Sequence, residues 1–187
     1  MTRPRFDAAG FEALQGRSIA AWSGIEMAFV DGEDDAEPLF EDDALPLRQL
    51  MYVDLRLQDG DVVRVVTHQN DAAFGLSVAG GDADMAAELE GIFRWATLVD
   101  LPTGLVQGVR CRQEVTPRDS VVPYPLVGEV ELTVAGRSVL LVAGEVYAGQ
   151  EGRFVLGWLD ESVLLFTDPG AADRLSWRPE RGPVGVV

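Results

Sequence analysis

Residues 51–78 read M-Y-V-D-L-R-L-Q-D-G-D-V-V-R-V-V-T-H-Q-N-D-A-A-F-G-L-S-V, a pattern typical of a mainly β protein. Its apolar Val53, Leu55 and Leu57 alternate with polar residues, which is the period of a strand with one buried face. The Asp-Gly dipeptide that follows suits the positive φ angles of a tight hairpin turn. A β-branched run over 62–67 then supplies the returning strand, so the stretch predicts a β-hairpin.

Strand patterns of this kind recur along the chain, between turns rich in glycine and proline. Residues 129–142, E-V-E-L-T-V-A-G-R-S-V-L-L-V, predict a second hairpin, which leaves open a duplication into two pseudo-repeated halves. The predicted class is mainly β (β-rich α+β), with antiparallel meanders that form a sandwich or strongly bent sheets. One or two short helices are expected, one of them capped by Asp82. The tail beyond residue 175 is expected to fray.

Length and cysteine content bound the organisation of the chain and its compartment. The 187 residues make one compact domain, 1–187, or two β lobes, 18–116 and 126–168, that share one core. Cys111 is the only cysteine, which excludes an intrachain disulfide and favours a reducing compartment. Because no signal peptide and no apolar run of membrane-spanning length is evident, we expect a cytoplasmic protein.

The chain is strongly acidic. It carries 31 Asp and Glu residues against 15 basic ones, all of them arginine, for a formal net charge of −16. This charge repels nucleic acids and anionic membranes, and it attracts basic proteins with fast, salt-sensitive association. The alternative is that the acidity only keeps the protein soluble. We expect a basic protein partner, no nucleic acid and no membrane, with the oligomeric state left open.

One segment concentrates this charge. Residues 31–43, D-G-E-D-D-A-E-P-L-F-E-D-D, hold eight carboxylates and no basic residue, and we call them the acidic segment. Mutual repulsion and Pro38 predict an exposed loop, in which Leu39 and Phe40 either pin the loop to the body or contact a partner. The predicted partner-binding residues lie in this segment and at the polar end of the first hairpin: Asp31, Glu33, Asp34, Asp35, Glu37, Phe40, Glu41, Asp42, Asp43, His68, Asn70 and Asp71.

Signatures of catalysis and of metal binding are weak. His68 is the only histidine, which excludes a metal site or catalytic triad built on two histidines. The acidic segment has alternating carboxylates, but it has Ala36 where the calcium-binding EF-hand needs Gly and Asp42 where it needs Glu. Cys111 stands between two arginines, which lower a thiol pKa, but it has no Cys-x-x-Cys partner and a buried structural thiol is the better interpretation. No catalytic residue, cofactor or metal is therefore assigned.

Two stretches carry a resemblance. Residues 53–76, V-D-L-R-L-Q-D-G-D-V-V-R-V-V-T-H-Q-N-D-A-A-F-G-L, resemble the hairpin of immunity proteins, the small acidic β-rich proteins encoded beside bacterial polymorphic toxins. Residues 158–169, W-L-D-E-S-V-L-L-F-T-D-P, are similar to the terminal hairpin of uncharacterised bacterial proteins of similar size. The resemblance implies a cytoplasmic, non-enzymatic protein that occludes a cognate toxin by tight binding.

Three functions stay open on the sequence. The first is a non-enzymatic binding protein, most concretely an immunity protein that neutralises a basic toxin. The second is a small-molecule-binding or hydrolytic β-barrel with a polar site near His68, which a deep pocket at that residue would favour and a filled barrel would not. The third is a structural or assembly protein whose acidic surface serves only solubility, which a large exposed apolar edge would favour.

Overall fold

The fold is described by a computed structural model that covers residues 8–31, 37–70, 73–81, 89, 91–115, 125–149, 153–179 and 181. The predicted mainly β, antiparallel class is confirmed. The elements are α1 (Ala9–Glu12), β1 (Ser18–Met27), β2 (Arg48–Leu57), β3 (Val62–Asn70), β4 (Ala73–Gly80), β5 (Phe93–Thr97), β6 (Gly104–Val115), β7 (Pro125–Val134), β8 (Arg137–Ala148), β9 (Phe154–Trp158), β10 (Ser162–Phe166), α2 (Pro169–Arg174) and β11 (Trp177–Arg178). The helix expected after Asp82 falls outside the described residues.

Six antiparallel strands close into a barrel in the order β1–β2–β10–β8–β7–β6, and β6 returns to β1. Closure depends on long strands that change partner along their length. The first residues of β2, 48–50, pair with β10, whereas residues 52–56 pair with β3. In the same way, β1 pairs first with β6 and then with β5, and β8 pairs first with β7 and then with β9. The strongly bent sheet that the sequence predicts is therefore a barrel with strands added outside it.

Both predicted hairpins are present, but they occupy different places. The first, β2–β3, turns at Gly60 with a φ of 96°, and its second strand lies outside the barrel. The second, β7–β8, turns at Ala135 and Gly136 with φ values of 48° and 80°, and both of its strands belong to the barrel. Such positive φ angles are those of a tight hairpin turn. The duplication stays a prediction.

Two hydrophobic cores flank the barrel wall. The inner core fills the barrel with side chains from all six strands, among them Ile19, Leu55, Val106, Leu132, Leu141 and Val163. The outer core covers one side of the wall and includes Phe29, Leu45, Leu47, Val142, Leu164, Phe166 and Trp177. β10 therefore alternates between two buried faces, which explains why V-L-L-F at 163–166 is continuously apolar. The extra residue Met51 at the β1–β2 register shift lets both Leu50 and Val53 face the inner core.

The expectation of a frayed tail is wrong for residues 176–179 and for Arg181. β11 pairs in parallel with β9, and Trp177 packs edge-on against Trp158 with ring centroids 5.7 Å apart. The Arg181 guanidinium donates to Glu129 Oε2 at 3.0 Å and lies 2.5 Å from an Asp173 carboxylate oxygen. A buried indole and a buried carboxylate together hold this part of the tail, which composition alone does not reveal. Among the described residues no helix has the length and apolar character needed to cross a membrane.

Candidate binding surface

The described ends of the acidic segment are fastened to the barrel by a two-residue bridge. Val30 pairs antiparallel with Leu39: Phe29 N donates to Leu39 O at 2.7 Å, and Leu39 N donates to Val30 O at 3.1 Å. Phe29 lies in the outer core, so the bridge is anchored from below. Val30 and Leu39 are 37% and 38% exposed, with the exposed Asp31 and Glu37 close to them in sequence. The bridge therefore presents an apolar pair among carboxylates.

The sequence left open whether Phe40 and Leu39 pin the loop to the body or contact a partner. In the structure the two side chains take different positions. Phe40 is half-buried, and the guanidinium carbon of Arg94 lies 4.2 Å from the centroid of its ring. This contact is a cation–π interaction that pins the segment to β5. Leu39 has no such cover and faces solvent. Of the two apolar side chains, Leu39 is the one available to a partner.

A buried carboxylate lies at the centre of an ion-pair network beneath the acidic segment. Glu26 on β1 is 3% exposed, and it accepts hydrogen bonds from Arg48 Nη1 and from Arg94 Nε, both at 2.6 Å. Arg94 also donates to Glu41 at 3.0 Å. Arg48 lies farther from Glu41, at 3.7 Å, and from Asp100, at 3.4 Å. Three carboxylates thus share two guanidinium groups, and the network keeps a negative charge.

Beside this network lies a groove of about 480 Å³, which we call the acidic groove. Its lining combines the apolar Leu45, Pro46, Leu47 and Leu165 with the acidic Glu41, Asp42, Asp43 and Asp100, and Arg48 and Thr167 complete it. Four carboxylates therefore line it against one guanidinium. The rim has a defined shape, because Asp42 Oδ1 accepts from Ala44 N at 2.8 Å and Asp42 O accepts from Leu45 N at 2.9 Å.

The polar end of the first hairpin lies apart from the acidic groove. His68 is exposed on β3 opposite Gly75, and the neighbouring Thr67 hydroxyl donates to the backbone oxygen of Glu161. Glu161 immediately precedes β10 and Thr167 immediately follows it, so this strand of five residues, roughly 17 Å long, separates the two regions. No hydrogen bond or ion pair joins His68 to the described residues of the acidic segment, 31 and 37–43.

The structure describes some of the remaining predicted site residues and not others. Asp31, Glu37, Glu41 and Asp43 are exposed and Asp42 is half-buried, as an exposed acidic loop requires. Glu33, Asp34, Asp35 and Asp71 lie outside the described residues, and for Asn70 only the backbone is described. Asp100 and Arg48 were missed by the sequence analysis. They reach the groove through strand pairing between distant parts of the chain, for which the local sequence carries no signal.

Other candidate chemistry is limited within the described part of the chain. No group of three or more His, Cys, Asp or Glu side chains there is placed to hold a metal ion. Cys111 is half-buried, and burial raises the pKa of its thiol to about 11. The thiol therefore stays protonated and unreactive at neutral pH, as a structural cysteine does.

Comparison with known proteins gives no relative: no family model matches the sequence, and neither the curated proteins nor the solved structures yield a match. The function has to be inferred from the surface of this chain. The most distinctive feature of that surface is the acidic segment, whose described residues are held by Arg94 and by the Val30–Leu39 bridge, with the acidic groove beside them.

Proposed function

We propose that this chain is a non-enzymatic binding protein that covers a basic surface of a partner protein, most concretely an immunity protein that occludes a basic toxin in the cytoplasm. The observation that carries the proposal is the acidic groove, which four carboxylates line with one arginine; the exposed Leu39 lies two positions before Glu41 of its lining. A field of this sign steers a basic partner and speeds association. It equally disfavours nucleic acids and anionic membranes as ligands.

The groove suits the long basic side chains of such a partner. Arginine and lysine combine an apolar stem with a charged head, and the groove combines an apolar floor of Leu45, Leu47 and Leu165 with a carboxylate rim. The resident Arg48 is held tightly by Glu26 at 2.6 Å but loosely by Asp100 at 3.4 Å. An incoming cation therefore replaces the loose contact and leaves the buried ion pair intact.

The two other functions receive less support. The inner core fills the barrel with side chains such as Leu55, Val130 and Leu141, which does not favour a ligand-binding barrel. His68 is exposed at the end of a hairpin. A purely solubilising role would not require the acidic segment to be clamped by Glu26, Arg48 and Arg94, since surface charge serves solubility wherever it lies.

The experiment that tests the proposal begins with affinity capture of the tagged protein from its native lysate, followed by mass spectrometry at low and at moderate salt. One stoichiometric basic protein that survives moderate salt is the expected result. Recovery of the tagged protein alone at both salt concentrations would contradict the proposal.

Association kinetics with the captured partner then locate the surface. Asp43→Asn should lower the association rate constant several-fold and weaken its salt dependence, because Asp43 lines the groove. Leu39→Ala should instead raise the dissociation rate, since buried apolar contacts act after encounter. Glu12→Gln, which removes the same charge on the distant and exposed α1, is the matched control. Equal slowing by Asp43→Asn and Glu12→Gln would show that only net charge matters.

A further inference from the structure

β5 forms an edge of the sheet next to the acidic segment. Among the described residues it pairs with β1 alone, antiparallel, with Arg94 opposite Glu26 and Trp95 opposite Ile25. The described strands leave its second side without a neighbour. Such an edge presents a row of unpaired N–H and C=O groups, which is a template for a further strand.

The register of β5 against β1 decides which backbone groups point outward. Directly after β5, Leu98 N donates to Trp22 O at 3.0 Å, so this pair is a hydrogen-bonded one. Hydrogen-bonded pairs alternate along an antiparallel ladder, and the residues between them direct their N–H and C=O groups to the other side. The outward groups of β5 therefore belong to Phe93, Trp95 and Thr97. Backbone hydrogen bonds of the described residues reach neither Phe93 nor Trp95 on that side.

The edge at β4 is better protected than the edge at β5. At β4, Phe74 N donates to Leu159 O at 2.9 Å, and α1 contacts the strand. Folded proteins commonly protect an edge with a covering segment or with a charged side chain that points outward. The one charged residue of β5 is Arg94, and its Nε turns back across β1 to Glu26 at 2.6 Å. Arg94 therefore does not block the outer side of its own strand.

The two faces of β5 differ in their chemistry. Trp95 is 39% exposed and shares a face with Ile25 of β1 and Tyr52 of β2, so it offers an apolar surface. Arg94 lies on the other face, where its Nη2 donates to Glu41 at 3.0 Å. The Glu41 side chain is 68% exposed, and the acidic groove that it lines adds three further carboxylates. A strand added to β5 thus meets an apolar surface on one face and negative charge on the other.

We propose that the outer edge of β5 receives an extended segment of the basic partner protein, which adds a strand and alternates apolar with basic side chains. Its backbone bonds to Phe93 and Trp95, its apolar side chains pack on the Trp95 ring, and its basic side chains face the carboxylates around Glu41. A second copy of this chain does not suit the edge, because pairing of two β5 strands brings together two acidic segments of a chain with a net charge of −16. The inference rests on the proposed function and specifies how the partner binds.

The experiment uses the full chain and a synthetic hexapeptide that alternates arginine and valine, so it does not require the natural partner. At a peptide concentration about ten times the dissociation constant, hydrogen exchange of the Phe93 and Trp95 amides should slow about tenfold, as NMR can measure. The amides of Arg94 and Ala96, which already face β1, should change little. A hexapeptide of three arginines followed by three valines is the matched control. It has the same charge without the alternation, and we expect it to bind at least about tenfold more weakly.

Two variants test the backbone contact from the side of the protein. Thr97→Pro removes an outward N–H, which an edge strand tolerates, so the chain should fold while its affinity for the alternating hexapeptide falls by about tenfold. Thr97→Val keeps the N–H and should bind like the unsubstituted protein. The exchange measurement on the unsubstituted protein decides the matter by itself if Thr97→Pro does not fold.

Several results would overturn the inference. Equal binding of the two hexapeptides would show attraction by charge alone, and equal slowing at Phe93 and Arg94 would exclude an added strand. Protection of the Phe93 and Trp95 amides that disappears when the free protein is diluted would assign the edge to a second copy. A partner captured from lysate together with an unprotected β5 edge overturns this inference alone. A protected edge without a captured partner contradicts only the proposed function.

Discussion

Glu26→Gln removes the buried charge to which Arg48 and Arg94 both donate, and leaves them the more exposed Glu41 and Asp100. Breaking a fully buried ion pair from one side costs about 3–5 kcal/mol, because an uncompensated charge stays behind. Here the carboxylate is 4% exposed, but the two arginine side chains are 28% and 44% exposed, so solvent screens part of the loss. We therefore expect the free energy of unfolding to fall by about 2 kcal/mol.

Urea unfolding, followed by tryptophan fluorescence, measures this change. With a denaturant slope of roughly 2 kcal/mol/M, the midpoint should fall by about 1 M while the slope stays constant. Glu131→Gln is the matched control, since Glu131 pairs with Arg110, whose side chain is 78% exposed, and an exposed pair contributes less than about 1 kcal/mol. Equal midpoints for Glu26→Gln and Glu131→Gln would refute the reasoning that Glu26 clamps the segment.

Two further predictions concern stability. Arg181→Ala should lower the free energy of unfolding by about 2 kcal/mol, because among the described residues the buried Glu129 then keeps only Arg112, at 3.4 Å. Arg174→Ala, at an exposed pair, should change the free energy of unfolding by less than about 0.5 kcal/mol, and urea midpoints compare the two variants. The pKa of Glu145, raised by burial from 4.5 to about 7, means that the folded state keeps a proton that the unfolded chain has lost, so stability falls as pH rises from about 4.5 to 7. After allowance for solvent screening this loss is roughly 1–2 kcal/mol, and urea midpoints at pH 4.5 and pH 8 should show it in the unsubstituted protein but not in Glu145→Gln.

Local patterns predicted the strands well, because alternation and turn residues act over a few positions. The alternating residues of β2 and the Asp-Gly turn after them are sufficient to define the first hairpin. Barrel closure had no such signal. It depends on Met51, the extra residue where the β1–β2 register shifts, and on the pairing of Leu50 with Val163, more than a hundred positions away. Neither can be read from a single stretch of sequence.

For the candidate surface, too, local features could be predicted from the sequence and contacts between distant parts of the chain could not. Like-charge repulsion within the acidic segment was enough to predict its exposure, and Glu37, Glu41 and Asp43 are exposed. The choice between Leu39 and Phe40 was open, because it is decided by Arg94, which arrives from β5. The groove needed Asp100 as well, which strand pairing brings there from outside the segment.

Arginine holds the buried carboxylates of this fold. Three carboxylates are buried among the described residues, Glu26, Asp54 and Glu129, and each is bound by arginine. Asp54 takes a bidentate contact from Arg64, with both hydrogen bonds at 2.8 Å. A planar guanidinium can satisfy two acceptors at once, whereas the compact ammonium of lysine offers no such fork.

Leaving a buried carboxylate without a partner would destabilise the fold, so these arginines have to stay with the interior. Acids outnumber arginines by 31 to 15 in this chain, so most of its outer carboxylates stay unneutralised wherever those arginines lie. The negative field of the acidic segment comes from this excess of acids and from the eight carboxylates gathered within residues 31–43. The ion pairs of Glu26 with Arg48 and Arg94 fix the position of the described residues of the acidic segment. A surface that binds a partner requires such a fixed position, whereas a surface that only keeps the protein soluble does not.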